Sequence, residues 1–72
     1  MILVVGASGT IGRVVVTQLL AKGEAVRAMS RDPEKTRALP GFEGASVVAG
    51  DPADPASLVQ VFAGVDKVLL IP

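Results

Sequence analysis

Three glycines, spaced three residues apart, follow directly on an apolar run at the start of the chain. Residues 6–12 read Gly-Ala-Ser-Gly-Thr-Ile-Gly after Met-Ile-Leu-Val-Val, and a helical pattern begins within them. A glycine-rich turn between a strand and a helix can bind phosphate, because the free N–H groups and partial positive charge of the helix N-terminus face the turn. The segment therefore predicts a cradle for the pyrophosphate of a dinucleotide.

Each glycine is expected to have a separate role. Gly6 ends the strand and permits a tight turn, Gly9 lets a pyrophosphate approach the backbone, and Gly12 lets the helix pack closely on the strand. Two hydroxyls in the turn add donors, and Arg13 is near enough to add charge. The predicted cofactor-binding residues of the turn are Gly6, Ser8, Gly9, Thr10, Ile11 and Gly12.

The spacing narrows the kind of nucleotide site. It is GxxGxxG, whereas many dinucleotide-binding domains carry GxGxxG. No GK[ST] follows four residues after a glycine, so the turn does not fit the phosphate-binding loop of ATP- or GTP-hydrolysing proteins. The alternative is a plain tight turn between strand and helix, but three glycines in register exceed what such a turn needs.

The end of the second predicted strand indicates which dinucleotide fits. NAD sites usually carry an acidic residue here that accepts hydrogen bonds from the ribose hydroxyls, but this strand ends in Met29-Ser30-Arg31. Arg31 would pair with a 2′-phosphate, and Ser30 could donate to the same group. NADP(H) is therefore favoured over NAD(H). Two alternatives stay open: Arg31 as a solvated surface charge, and Asp32 as a ribose acceptor rather than the cap of the next helix.

Composition excludes several other functions. The 72 residues contain no Tyr, His or Cys, so we predict no catalytic residue. The aspartates lie in separate segments, which predicts no metal site. Seven basic and seven acidic residues cancel, which gives no support for nucleic-acid binding. No apolar run is long enough for a membrane span, and the absence of Cys suits the cytoplasm, which is the predicted location.

The elements that must position these residues alternate along the chain. Short apolar runs predict strands, and helical patterns bounded by Gly and Asp-Pro steps separate them. This alternation predicts an α/β, Rossmann-like, three-layer fold with a parallel sheet of four strands in the order 3-2-1-4 and three helices. The predicted strands are 1–5, 25–30, 45–49 and 67–71, and the predicted helices are 10–22, 33–39 and 56–63.

The sequence resembles a known family over essentially its whole length. The stretches VVGASGTIGRVVVTQLLAKGEAVRAMSRDPEK and VVAGDPADPASLVQVFAGVDKVLLIP are similar to the start of the NmrA-like, atypical branch of the short-chain dehydrogenase/reductase superfamily. The resemblance implies that residues 1–72 are the N-terminal part of an NAD(P)-binding Rossmann domain. It also implies that Asp51 meets the adenine amino group, although Asp51 precedes Pro52 and could simply shape a turn.

The resemblance implies two functions between which the sequence does not decide. One is the dinucleotide-binding half of an NAD(P)H-dependent oxidoreductase, of a group in which some members reduce quinones. The other is a non-catalytic regulatory protein that senses NAD(P). The tyrosine and lysine pair that usually serves as the acid in this superfamily is absent from these 72 residues, because the chain has no Tyr.

The predicted sheet has an exposed edge. Strand 67–71 would have no neighbour on one side, and the short helix 56–63 would cover one face of four apolar strands. Uncovered apolar surface and a bare strand edge favour association. We therefore expect an incomplete domain, whose partner is the remainder of a longer chain or a second copy.

Overall fold

The computed structural model describes residues 1–71, in which strands and helices alternate. Each helix connects two strands, as the apolar runs and the Gly and Asp-Pro steps predict. The elements are β1 (Ile2–Val5), α1 (Thr10–Ala21), β2 (Val26–Ser30), α2 (Pro33–Arg37), β3 (Ser46–Ala49), α3 (Pro55–Val61) and β4 (Lys67–Leu70).

The four strands form one parallel sheet in the order β3-β2-β1-β4. Leu3 in the centre of the sheet pairs with Arg27 on one side and Val68 on the other, and Arg27 pairs in turn with Ser46. Strands β2 and β3 are added in turn on one side of β1, and the chain then crosses back so that β4 pairs with β1 on its other side. The predicted α/β fold and strand order are confirmed.

All three helices end earlier than predicted, and α1 does so by one residue, at Ala21 rather than Lys22. Helix α2 ends at Arg37 rather than Leu39, because Leu39 precedes Pro40 and a residue before proline avoids the helical conformation. Helix α3 ends at Val61 rather than Ala63. The carbonyl of Val61, the last residue of α3, and the carbonyl of Ala63 accept hydrogen bonds from the side chain of Arg27 in β2.

Helices α1 and α2 cover one face of the sheet. The larger core lies there and contains Val4, Val16, Val26, Ala28 and Phe42, all nearly inaccessible to solvent. Alternate residues of each strand point to the same face, so Val4 of β1 and Ala28 of β2 meet α1 on this side. This core holds the amino end of α1 against the sheet, and with it the glycine turn.

Helix α3 alone covers the opposite face, where the core is smaller. Leu3, Met29 and Val61 are its buried residues. Arg27 also points to this face, and its Nη1 donates hydrogen bonds to the carbonyls of Val61 and Ala63, both at 2.7 Å. Arg27 therefore ties β2 to the carboxyl end of α3, where the helix dipole favours a cation. Its Nε is the one buried side-chain nitrogen or oxygen within residues 1–71 that lacks a partner.

Strand β4 forms an exposed edge. All four of its residues are solvent-exposed, and Leu70 retains 73% of its accessible surface.

Asp66, just before β4, accepts a hydrogen bond from the N-terminal amine at 2.8 Å. This bond and the positive charge of the amine lower the pKa of the Asp66 carboxyl below its ordinary value. No helix among residues 1–71 is long and apolar enough to cross a membrane.

Candidate dinucleotide site

A cavity of about 740 Å³ lies at the carboxyl ends of the strands, next to the amino end of α1. Open α/β sheets bind ligands at this edge, in the crevice where the strand order reverses. Residues from the ends of β1, β2 and β3 line it, among them Val5, Gly6, Met29, Ser30 and Gly50. The fold thus brings the glycine turn and the end of β2, which are separated in sequence by the whole of helix α1, to one cavity.

Gly6 and Gly12 are required by the fold itself. Gly6 has φ +86°, in the left-handed region, and a Cβ there would overlap the backbone carbonyl oxygen of Ile71. A Cβ on Gly12 would overlap the Gly6 carbonyl oxygen and lie 2.8 Å from the Cα of Ala7. Gly12 is buried beneath the turn and does not line the cavity. These two glycines shape the turn, as the sequence predicted, by permitting close approach of backbone to backbone.

Gly9 differs from both, because nothing in the protein requires it to be glycine. Its φ is −73°, which any residue adopts, and a Cβ there would have only the Gly6 carbonyl oxygen nearby, at an ordinary contact distance of 3.5 Å. Gly9 lines the cavity. The space that a side chain would occupy therefore belongs to the cavity, which is the arrangement that a phosphate needs to reach the backbone.

The first turn of α1 presents unpaired backbone donors beside Gly9. The first bond of the helix runs from the Arg13 N–H to the Gly9 carbonyl, at 2.9 Å. The N–H groups of Thr10, Ile11 and Gly12 therefore have no partner within the helix. No side chain caps this end, and the first turn contains no acidic residue. The partial positive charge of the helix terminus is thus uncompensated by the described residues and favours an anion.

Side chains of the turn are placed unequally. Ser8, Thr10 and Arg13 are among the residues that line the cavity. Ile11 does not line it, and its side chain is 64% exposed on the outer face of α1. Ile11, which the sequence predicts to bind the cofactor, therefore lies outside the cavity lining.

The end of β2 adds two cations to the cavity lining. Ser30 and Arg31, which the sequence predicts to bind the cofactor, line it together with Lys35 of α2. The two ion pairs within residues 1–71 join other groups, so Arg13, Arg31 and Lys35 carry charges without a carboxylate partner there. Lys35 was not predicted from the sequence as a residue of the site. Its position in the first turn of α2, which begins just after β2 ends, could have indicated it.

Asp32 acts as the cap of α2. Its Oδ1 accepts a hydrogen bond from the backbone N–H of Lys35 at 3.2 Å, and Pro33 occupies the first helical position. This is the helix-cap alternative considered from the sequence. The carboxylate also borders the cavity, but one of its oxygens is already occupied by the cap.

Asp51 lies at the rim of the cavity between two lining residues, Gly50 and Pro52. Its own side chain is turned into the local loop, where Oδ1 accepts from the Ala53 N–H at 2.9 Å. Its backbone N–H donates to the Ser57 hydroxyl at 3.1 Å, which fixes the loop against α3. The loop conformation thus brings Asp51 close to the cavity and leaves Oδ2 as its oxygen without a hydrogen bond within residues 1–71.

The described residues around the cavity offer no set of side chains that could bind a metal ion. The described part of the chain contains no group of three or more Asp, Glu, His or Cys side chains that could hold a metal ion. The donors around the cavity are backbone N–H groups, hydroxyls and cations, which suit phosphate oxygens.

Comparison with known proteins relates this geometry to cofactor binding. A model of an NAD(P)H-binding family matches residues 6–71. The NAD(P)H azoreductase of Xenophilus azovorans is 42% identical over 71 residues, which are 99% of this chain and 24% of that protein. The photosystem II assembly factor Ycf39 of Cyanophora paradoxa is 37% identical over 68 residues, 94% of this chain and 21% of that protein. The chain thus spans about a quarter or less of these curated relatives.

Solved structures with the same fold have a level of sequence identity to this chain similar to that of the relatives above. A short-chain dehydrogenase/reductase superfamily protein from Agrobacterium tumefaciens with bound NAD has a TM-score of 0.78 and 33% identity, and the match covers 100% of this chain and 20% of that one. AtPrR2 with NADP⁺ and (+)-pinoresinol has a TM-score of 0.78 and 36% identity, covering 96% of this chain and 24% of that one. The chain belongs to the NAD(P)H-binding family, as its resemblance to the NmrA-like short-chain dehydrogenase/reductases predicted.

Proposed function

We propose that residues 1–72 form the N-terminal part of a Rossmann domain, which holds the adenosine, ribose phosphate and pyrophosphate portion of NADP(H). The observation that carries this proposal is the open space at Gly9, which faces the cavity beside the unpaired N–H groups of α1. A glycine that the fold does not need, at a helix N-terminus without a cap, is explained by a ligand that must approach the backbone closely.

The residues present fit this cofactor. The N–H groups of Thr10 and Ile11 and the hydroxyls of Ser8 and Thr10 would receive the pyrophosphate, with Arg13 supplying positive charge. The nicotinamide ring of the bound cofactor supplies or accepts a hydride. The part of this chain is to bind and orient the cofactor by its adenosine end.

The preference for NADP(H) rests on charge at the end of β2. Arg31 and Lys35 line the same part of the cavity as Ser30, and neither has a carboxylate partner within residues 1–71. A 2′-phosphate is a dianion that two cations and a hydroxyl donor satisfy together. Within residues 1–71, Asp32 is the one carboxylate in the lining that could receive the ribose hydroxyls of NAD(H), and its Oδ1 already accepts the cap hydrogen bond of α2, which leaves Oδ2 for such a contact.

Calorimetric titration with NADPH and NADH tests this preference. We expect tighter binding of NADPH, and we expect Arg31→Ala to lower NADPH affinity by about 10-fold or more, the loss of one charge-assisted hydrogen bond. NADH affinity should change by less than about twofold. Lys22→Ala removes an equal charge at the other end of α1 and is the matched control. Equal wild-type affinities, or equal losses for both cofactors in Arg31→Ala, would contradict the proposal.

Asp51 is proposed to accept a hydrogen bond from the adenine amino group through Oδ2. Its place between Gly50 and Pro52 at the cavity rim supports this role. The hypoxanthine analogue of NADPH carries an oxygen where adenine has its amino group. Asp51→Ala should weaken NADPH binding and leave binding of the analogue unchanged. A variant that loses affinity equally for both would show that Asp51 only shapes the loop.

The activity of the whole protein is proposed to be NAD(P)H-dependent reduction, with quinones as the first acceptor class to test. Similarity to a protein named as an NAD(P)H azoreductase supports electron transfer from this cofactor to a small organic acceptor. Oxidation of NADPH, followed at its absorbance in the presence of quinone or azo acceptors, tests the activity. Turnover requires groups that residues 1–71 do not contain, since they include no Tyr, His or Cys.

A non-catalytic, NAD(P)-sensing protein is the second candidate function. The observation that favours it is the similarity to a protein named as an assembly factor, Ycf39. Cofactor binding without NADPH oxidation, combined with a partner that binds only one redox form of the cofactor, would favour the sensor. The predicted cytoplasmic location stays a prediction under both functions.

The exposed edge of β4 is proposed to be covered by the remainder of a longer chain or by a second copy. The exposed side chains of Val68, Leu69 and Leu70 support this proposal, because unpaired apolar strand edges associate. Sedimentation over a range of concentrations measures the mass of the chain in solution. A mass that rises with concentration indicates that a second copy covers the edge.

A further inference from the structure

The Ser30 hydroxyl, which the proposed function uses as a donor, is paired with the hydroxyl of Thr36, a residue of the cavity lining that the proposed function does not use. Thr36 in α2 is the one buried polar residue among residues 1–71, with 2% of its surface exposed. Its Oγ1 lies 2.6 Å from Ser30 Oγ, a short hydrogen bond between two side chains. Burial of a hydroxyl costs free energy unless it is hydrogen-bonded, so this pairing has to be maintained in the folded protein.

The surroundings determine which hydroxyl donates. Ser30 Oγ accepts a hydrogen bond from the backbone N–H of Asp32 at 3.1 Å, and that group can only donate. The Thr36 hydroxyl makes one side-chain hydrogen bond within residues 1–71, in which it donates its proton to Ser30 Oγ. A serine hydroxyl has two acceptor lone pairs and one proton. Both lone pairs are occupied, so Ser30 can act toward a ligand only as a donor.

We propose that Thr36 is a positioning residue that holds the Ser30 hydroxyl as an obligate donor, and thereby makes the end of β2 selective for a phosphate ester over a free ribose hydroxyl. Ser30 lines the cavity beside Arg31 and Lys35, so its remaining proton is available to a ligand there. This inference rests on the proposed binding of a dinucleotide at the cavity and on its NADP(H) preference.

The chemistry of the two ligands explains the selectivity. A phosphate dianion offers only acceptor oxygens, which match the Ser30 donor and the two cations. A ribose 2′-hydroxyl carries a proton that needs an acceptor, and Ser30 cannot accept it because both of its lone pairs are occupied, so Asp32 Oδ2 is left as the acceptor for it in the lining. A serine that lacked the Thr36 hydroxyl would regain a free lone pair and could serve either ligand.

Titrations with NADPH and NADH of the wild type, Thr36→Val, Thr36→Ser, Ser30→Ala and the double variant test the inference. Valine has nearly the shape of threonine, and serine keeps the hydroxyl. We expect Thr36→Val to lower NADPH affinity by about three- to tenfold, to change NADH affinity by less than about twofold, and to have no further effect when Ser30 is alanine. Thr36→Ser should restore NADPH affinity.

The outcomes separate this inference from the proposed function. Equal wild-type affinities for NADPH and NADH would overturn the NADP(H) preference and, with it, the role assigned to Thr36. A wild type that prefers NADPH, together with a Thr36→Val variant that loses affinity equally for both cofactors, would overturn the inference alone. The same conclusion follows if Thr36→Val retains its effect in the Ser30→Ala background. Thr36→Ala removes the same hydroxyl and replaces the valine variant if the latter does not fold.

Discussion

Substitution of Gly9 by alanine separates the fold of the turn from its proposed phosphate site. The added Cβ would have only the Gly6 carbonyl oxygen as a neighbour, at 3.5 Å, and the φ of −73° suits alanine. Alanine also restricts the unfolded chain more than glycine does, whereas it is a poorer residue at a helix N-cap. These effects oppose each other, so we expect the free energy of unfolding to change by less than about 0.5 kcal/mol.

The same methyl group would lie where a phosphate oxygen must approach the N–H groups of Thr10 and Ile11. The loss of one charge-assisted hydrogen bond between a backbone N–H and phosphate costs about 1.5–3 kcal/mol. Since about 1.4 kcal/mol corresponds to a factor of ten in affinity, the dissociation constant for NADPH should rise by about 10- to 150-fold. NADH should lose affinity by the same factor, because both cofactors contain the pyrophosphate.

Calorimetric titration, combined with thermal unfolding followed by circular dichroism, measures both quantities. Gly44→Ala is the matched control, because Gly44 is exposed, lies outside the cavity lining and has Leu20 Cδ2 at 3.5 Å from the added Cβ. That variant should keep both stability and affinity. Gly12→Ala should instead lose stability by about 1–3 kcal/mol, because its Cβ overlaps backbone atoms. A folded Gly9→Ala protein that binds NADPH within about twofold of the wild type would refute the phosphate-cradle assignment.

Three further substitutions test the fold. Arg27→Met should lower the free energy of unfolding by about 1–2 kcal/mol, because the Val61 and Ala63 carbonyls each lose a charged donor; an unchanged urea midpoint would contradict this. Asp66→Asn should lower the Tm at neutral pH. The lowered pKa of Asp66 makes its stabilisation complete above the ordinary range of an aspartate, and this contribution is lost as the pH falls through the lowered pKa, so the two proteins should converge in Tm below about pH 4. A difference that persists in acid would exclude the ion pair as its cause. Leu70→Lys should reduce concentration-dependent association in sedimentation equilibrium, because it places a charge on the exposed edge; a wild type that is monomeric at every concentration would contradict the proposed role of this edge.

Prediction from sequence succeeded best where a local pattern decides the structure. The run before Gly6 is uniformly apolar because β1 is central and covered on both faces, and Asp32-Pro33 starts α2 because the carboxylate caps its first turn. It was less accurate at the helix ends, where Arg27 and the residue before Pro40 determine the last turn. Lys35 was missed because its relation to the cavity depends on how α2 packs beside β2.

The sequence by itself determined the alternation of strands and helices, the parallel sheet and the glycine turn between β1 and α1. These follow from local physics: apolar runs, glycine spacing and helix caps act over a few residues. Only the tertiary structure decided which glycines the fold requires, because backbone atoms lie against Gly6 and Gly12 but leave open space at Gly9. It also decided the direction of the Ser30 hydroxyl, since donors from α2 must meet the end of β2 before either lone pair is occupied.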